Sequence, residues 1–153
     1  MSPEWAAAPE ECTCLAVRQA ARRVTQFYDH FLAPSGLRTT QFSILSKLRR
    51  LGETTINELA REMVMDRTTL GRNVLPLERE GLISIEPGRT DRRSKTVKLT
   101  AEGRKRLDEA RERWRVAQAG FARGFGEERT VLLRSLLREA TETELPEASI
   151  VNQ

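Results

Sequence analysis

The side chains best suited to bind a negatively charged molecule are concentrated between Pro87 and Lys98. This stretch contains one acidic residue, Asp91, and five basic residues, which are Arg89, Arg92, Arg93, Lys95 and Lys98. Alternating apolar residues flank its polar centre on both sides, and these are Ile83, Ile85, Val97 and Leu99. Such alternation on either side of a proline and a glycine predicts a β-hairpin. The sequence therefore predicts a hairpin whose basic tip is either solvated or in contact with an anion.

A second group of polar side chains follows Asp66, a residue suited to cap a helix. The first turns of that helix would present four residues, Arg67, Thr68, Thr69 and Arg72. Arginine bonds guanine O6 and N7 in a bidentate way, and a threonine methyl group contacts the thymine methyl group. A shorter helix before it opens with a capping box between Thr55 and Glu58. Together the two helices predict a helix-turn-helix, whose second helix enters the major groove of DNA.

Thiol chemistry is restricted to Cys12 and Cys14, and the chain contains a single histidine, His30. A structural zinc site needs four ligands, so we expect no metal site and no cofactor. Two cysteines are too few for a disulfide scaffold, and their spacing makes a bond between them strained. Each thiol is therefore either structural or redox-active.

Several classes of protein are disfavoured by the sequence. There is no nucleophile elbow, glycine-rich phosphate loop or HExxH motif, so we expect no enzyme. There is no apolar run of ~18 residues and no signal peptide pattern, so we expect no membrane partner and a cytoplasmic location. A formal net charge of +4 over 153 residues is compatible with a nucleic-acid partner.

Apolar residues at steps of three and four predict further helices. One spans about residues 10–32. The next takes Thr39 or Thr40 as its N-cap and ends at Gly52. The helix that follows Asp66 contains Pro76, where we expect a bend because proline removes a backbone hydrogen bond.

Two more helices follow the hairpin, one that Thr100 caps and that Gly124 and Gly126 break, and one over about 127–143. The first carries a heptad-like apolar seam formed by Leu107, Ala110, Trp114, Ala117 and Phe121. The predicted fold class is mainly α with a small β-hairpin wing: a winged helix-turn-helix lobe plus long terminal helices forming a dimerisation lobe. The predicted domains are a flexible arm at 1–9, a helical dimerisation region at 10–36 and 101–143, a DNA-binding domain at 37–100, and a tail at 144–153.

The stretch "DRTTLGRNVLPLEREGLISIEPGRTDRRSKTVKLTAEGRK" resembles the signature of MarR-type transcriptional regulators. The shared parts are the recognition helix, "LEREGLI", the wing "DRR" and the helix opening "LTAEG". The resemblance extends back through "LAPSGLRTTQFSILSKL" and covers about residues 12–143. It implies a homodimer that holds a pseudo-palindromic DNA operator, with the terminal helices forming the dimer interface.

The resemblance also implies roles for individual residues. It places Arg93 in the minor groove with Asp91 bracing the wing, and it makes the start of the second helix a phosphate contact. Val64, in the turn of the helix-turn-helix, stands where many such units carry glycine. The predicted DNA-binding residues are Thr39, Thr40, Arg67, Thr68, Thr69, Arg72, Arg89, Asp91, Arg93 and Lys95.

Two kinds of signal are left open by the resemblance. The first is a small ligand, such as an aromatic acid or an acyl-CoA, bound between the dimer helices and the winged lobe. Its predicted pocket comprises Arg18, Arg22, Phe27, Ser43, Ile44 and Trp114. The second is an oxidant sensed by Cys14, since the chain partly resembles the organic hydroperoxide regulators of this family. Cys14 and Tyr28 match the reactive cysteine and its first tyrosine. Thr39 stands at the position of the second tyrosine, which is therefore missing. On this reading Cys12 would serve as the resolving thiol.

The sequence thus predicts a homodimeric DNA-binding repressor released by a ligand. The alternative is a thiol-based peroxide-sensing repressor, and a more distant one is a helical module that binds protein and not DNA.

Overall fold

The computed structural model describes residues 9–146, so nearly all of the predicted arm at 1–9 and most of the predicted tail at 144–153 lie outside the described residues. The chain divides into two compact units, Met1–Ala117 and Gln118–Gln153. The described α-helices are α1 (Thr13–Leu32), α2 (Thr39–Leu51), α3 (Ile56–Glu62), α4 (Arg67–Arg79), α5 (Ala101–Phe125) and α6 (Glu127–Glu142). The strands are β1 (Thr54–Thr55), β2 (Ile83–Pro87) and β3 (Lys95–Leu99). The predicted fold class, mainly α with a small β wing, is confirmed.

Three of the predicted helix starts are confirmed by their capping hydrogen bonds. The hydroxyl of Thr55 accepts the N–H of Glu58 at 3.1 Å, and the carboxylate of Glu58 accepts the N–H of Thr55 at 3.2 Å. Asp66 caps α4. Thr100 caps α5 by accepting the N–H of Gly103 at 3.0 Å. These side chains satisfy N–H groups that a helix start otherwise leaves without a partner.

The predicted N-cap of α2 was wrong. Arg38 occupies the cap position, and its N–H donates to the side-chain oxygen of Gln41 at 3.0 Å. Thr39 is the first helical residue, and both its N–H and its hydroxyl donate to one carboxylate oxygen of Asp29, at 2.6 and 2.7 Å. A carboxylate from α1 therefore caps α2 and ties the two helices together.

The sheet has three strands in the order β1-β3-β2, and not the two predicted. β2 and β3 form the antiparallel hairpin, with Ile85 opposite Val97. β1 pairs with the outer side of β3, where Thr54 lies opposite Val97. The hairpin is thereby fixed to the segment that opens α3.

The core of the first unit is formed by apolar side chains from α2, α3, α4, α5 and the sheet. Ile44 is completely buried, although the sequence placed it in a ligand pocket. Ile44 and Leu48 are four residues apart, so they lie on the same face of α2 and both enter the core. The largest fully buried side chains are Leu32, Leu37, Ile44, Leu45, Leu48, Leu59, Leu70, Leu77, Leu82, Val74 and Val97.

α4 continues through Pro76 to Arg79, and Gly81 follows with a φ of +71°. The bend expected at Pro76 stays a prediction. In the second unit, α5 continues past Gly124 to Phe125, so Gly124 does not break the helix as predicted. The break predicted at Gly126 is confirmed, and this residue has a φ of +106°. Over residues 9–146, no helix is both long and apolar enough to cross a membrane.

Val64, in the turn between α3 and α4, has a φ of +53° and is 73% exposed. The left-handed region costs an L-residue roughly 1–2 kcal/mol, and a β-branched side chain is especially unfavourable there. Replacing Val64 with glycine should therefore raise the free energy of unfolding by about 1 kcal/mol, measured by urea denaturation. Val64→Ala is the matched control, since alanine retains the Cβ that causes the strain. Equal stability of the two variants would contradict the explanation.

Candidate nucleic-acid interface and effector cavity

The first turn of α4 presents an exposed, polar surface. Asp66 accepts the N–H of Thr69 at 2.8 Å and its hydroxyl at 2.7 Å, so the Thr69 side chain is held with its hydroxyl turned to the cap. Arg67, Thr68 and Arg72 are exposed beside it. All four predicted recognition residues thus lie on the first two turns of one rigid, capped helix.

The tip of the wing is held by hydrogen bonds around Asp91. Its carboxylate accepts the N–H of Arg93 at 2.9 Å, and its carbonyl oxygen accepts the N–H of Ser94 at 3.1 Å. The N–H of Gly88 donates to the carbonyl oxygen of Ser94 at 2.7 Å and closes the tip. Asp91 therefore makes the contact expected of a brace, and the Arg93 side chain is exposed. Arg89 and Lys95 are also exposed.

The start of α2 is less suited to phosphate than the sequence indicated. Both donors of Thr39 are taken by Asp29, which also places a negative charge at the start of the helix. A phosphate there would meet that carboxylate at short range. Thr40 is partly exposed and stays a predicted contact.

Comparison with known proteins agrees with this geometry. The MarR family profile matches residues 37–95. The HTH-type transcriptional regulator YwoH of Bacillus subtilis is 32% identical over 93 residues, which are 61% of this chain and 67% of that protein. The transcriptional regulator MosR of M. tuberculosis, solved in complex with DNA, is 38% identical, with a TM-score of 0.72 over 87% of this chain and 100% of that chain. The chain belongs to the MarR family.

Another MarR-like structure, the transcriptional repressor CouR bound to a 23-mer DNA duplex, is 26% identical, with a TM-score of 0.79 over 87% of this chain and 94% of that chain. Membership in the MarR family makes the chain a DNA-binding transcriptional regulator and not an enzyme, as predicted. The more specific prediction of an organic hydroperoxide regulator is not confirmed.

Away from the predicted DNA-binding surface, this MarR-family chain has a cavity of about 690 Å³ among α2, α3 and α5. Phe42 and Trp114 form one wall, with stacked rings whose centroids are 6.0 Å apart. Of the predicted pocket residues, Ser43 and Trp114 line this cavity. The others do not, and they are Arg18, Arg22, Phe27 and Ile44.

Sequence reasoning missed the charged side chains of this cavity. Lys47 and Arg50 of α2 both pair with Glu62 at the end of α3, at 3.1 and 2.8 Å. The hydrogen bond from Lys47 is the main cause that lowers the pKa of Glu62. Arg111 also lines the cavity and has no ion pair within residues 9–146. The cavity therefore offers an aromatic surface together with a cation that has no ion pair within residues 9–146.

The two thiols are free and exposed at the start of α1. Cys12 occupies the N-cap, and its sulfur accepts the N–H of Leu15 at 3.4 Å. Tyr28 lies fourteen residues beyond Cys14 on the same helix, a separation of about 21 Å at 1.5 Å per residue. Tyr28 therefore cannot support Cys14 of its own chain.

Asp66 links the stability of the recognition helix to pH. Hydrogen bonds from the Thr69 hydroxyl and N–H lower the pKa of Asp66 below its usual 3.8. Because folding favours the charged form, this stabilisation is complete above the unfolded-state pKa and is lost as the pH falls through the lowered one. Asp66→Ala should therefore lower Tm by a few degrees at neutral pH, and the difference from wild type should shrink in acid. Thermal unfolding across a pH series measures this, and a pH-independent difference would contradict it.

Proposed function

We propose that the chain is a homodimeric, sequence-specific repressor that leaves a pseudo-palindromic operator when it binds a small anionic ligand. The cavity beside α3, with its stacked aromatic wall and its unpaired Arg111, is the observation that carries this proposal. An aromatic acid or the adenine and phosphates of an acyl-CoA would satisfy both features. The proposed DNA binding is supported by two similar proteins, the repressor CouR and MosR, which were both solved bound to DNA. A role on DNA supports the cytoplasmic location that we propose.

Dimerisation is supported by α6, whose apolar side chains are left exposed in the single chain. Their exposed fractions lie between 44% and 58%, and they are Val131, Leu132, Leu136 and Leu137. Adjacent apolar side chains on one helix bury their surface when a second copy covers them. A two-fold dimer would place its two recognition helices about 34 Å apart, the spacing of successive major grooves.

The ligand would cause release of the DNA by changing the position of α3. This helix is seven residues long, about 10 Å, and its last turn lines the cavity while its first turn adjoins α4 and the wing. A ligand anion bound beside Lys47 and Arg50 would compete with Glu62 for their charge. The loss of those ion pairs would free the end of α3 and change the placement of the recognition helix. Such a ligand shifts the equilibrium by its differential affinity for the two states.

The test is a panel of phenolic acids, acyl-CoAs and hydroperoxides added to the protein–DNA complex. A ligand from the first two classes should release the DNA. Arg111→Gln should raise the concentration needed by roughly tenfold, the loss expected for a charged hydrogen bond, and leave DNA affinity unchanged. Arg113→Gln, an exposed arginine of the same helix that does not line the cavity, is the control. If both variants respond like the wild type, the cavity is not the effector site.

The second candidate is a thiol switch, which the exposure of Cys12 and Cys14 at a helix start favours. On this alternative, a hydroperoxide releases the DNA from the wild type and not from Cys14→Ser. A wild-type complex that survives excess hydroperoxide would exclude it.

A further inference from the structure

A second cavity, of about 220 Å³, lies where the first turns of α3 and α4 meet the wing tip. Its volume is roughly that of seven water molecules in the liquid, which accommodates one phosphate group with some of its hydration. Three cations line it, Arg67 from α4 and Arg93 and Lys95 from the wing. Cations from two separate elements therefore converge on a space of the size of one small anion.

The charges that surround this cavity are not balanced by ion pairs within residues 9–146. None of the three cations has an ion pair among residues 9–146. The carboxylate that lines the cavity, Asp91, already accepts the N–H of Arg93 at 2.9 Å. Like charges held close together repel one another, and a bound anion would relieve that repulsion. The imbalance thus favours an anionic occupant over water alone.

Asn57, the second residue of α3, is exposed and lines the same cavity. Its amide carries two N–H donors and no charge, so it can bond an anion without adding to the repulsion. We propose that this cavity binds one phosphate of the DNA backbone, that Asn57 is a DNA-binding residue, and that Arg67 and Lys95 supply the charge. Arg67 is then a backbone contact and not a reader of bases.

The position of the cavity identifies the phosphate as part of DNA. The inference rests on the proposed docking of α4 in the major groove and of the wing in the adjacent minor groove. The sugar-phosphate backbone separates these two grooves, so it must pass between the recognition helix and the wing. The cavity opens at that place. Contacts there set register and affinity and carry no sequence information.

The experiment measures the affinity of the full chain for two synthetic duplexes of unrelated sequence over a series of salt concentrations. Asn57→Ala should weaken binding to both duplexes by roughly the same factor, on the order of tenfold. Lys95→Ala should weaken both and lower the slope of log K against log salt by about 1. The double variant should lose less than the product of the two single losses, because both side chains bind one phosphate. Arg61→Ala is the control, since it removes an exposed charge from the other end of α3 and should keep the wild-type slope.

Wild-type affinity of Asn57→Ala for both duplexes would overturn the inference, even if the wild type binds DNA as proposed. A loss restricted to one duplex would also overturn it, because it would make Asn57 a base contact. A titration of the DNA-free chain with inorganic phosphate, followed by the Asn57 amide NMR signals, tests whether the cavity binds a free anion and not a phosphate of DNA. A shift there without any effect of Asn57→Ala on DNA affinity would assign the cavity to a free anion and contradict the DNA assignment.

Discussion

Gly103→Ala is expected to lower the free energy of unfolding by about 3 kcal/mol, the largest effect on stability that we predict for a single methyl group. A Cβ at this position of α5 would overlap the carbonyl oxygen of Leu82 and lie 2.9 Å from both the carbonyl carbon of Leu82 and a methyl carbon of Leu99. The same carbonyl of Leu82 accepts the N–H of Thr100 at 3.1 Å, so it cannot move away without breaking the junction of α5 with the wing. Urea denaturation followed by circular dichroism measures the change.

Gly71→Ala is the matched control for this prediction, because Gly71 is also helical and an added Cβ would have no atom within 4 Å apart from its chain neighbours and the nearby backbone of its own helix. Alanine is the better helix former by up to about 1 kcal/mol, so this variant should be more stable than the wild type. The two glycines therefore predict opposite signs for the same substitution. If Gly103→Ala were as stable as Gly71→Ala, the close approach of α5 to Leu82 would be contradicted.

Arg93→Ala is expected to weaken DNA binding by roughly 10- to 100-fold, the range for an arginine that contacts a groove. Stability should hardly change, because the Arg93 side chain is exposed and the brace from Asp91 uses only its backbone N–H. Fluorescence anisotropy with a labelled duplex measures the affinity, and thermal unfolding of the same sample measures the stability.

Two variants separate the geometry of Arg93 from its charge. Arg93→Lys keeps the charge and loses the planar guanidinium, so it should recover part of the affinity. Lys105→Ala removes an exposed positive charge from α5 and should bind DNA like the wild type. Unchanged affinity of Arg93→Ala would contradict the assignment of the wing to DNA.

Local signals in the sequence predicted most of the helix-turn-helix and the wing. The capping residues Thr55, Asp66 and Thr100 set helix starts that need only neighbouring atoms, so their types and spacing were sufficient. Asp91 and Arg93 lie in one tight tip, so their contact also follows from local spacing. The surface predicted to contact DNA is therefore held mainly by interactions between residues a few positions apart in the sequence.

The features that the sequence did not predict depend on contacts between residues distant in sequence. The cap of α2 comes from Asp29, ten residues before Thr39, and no local pattern reveals it. β1 has only two residues and exists through its pairing with β3. The close approach of Gly103 to Leu82 depends on how α5 leaves the sheet. The cavity among α2, α3 and α5 requires side chains from three helices to lie together, and the periodicity of a sequence does not show which helices meet.

The most direct test of the central claim is a binding titration of the purified wild-type chain with DNA fragments from upstream of its own gene, at low and moderate salt. We predict that one fragment is bound with two chains per site, that affinity falls steeply with salt, and that an unrelated fragment of equal length is bound more weakly. Binding to no fragment at low salt would contradict the assignment of α4 and the wing as a DNA-binding surface.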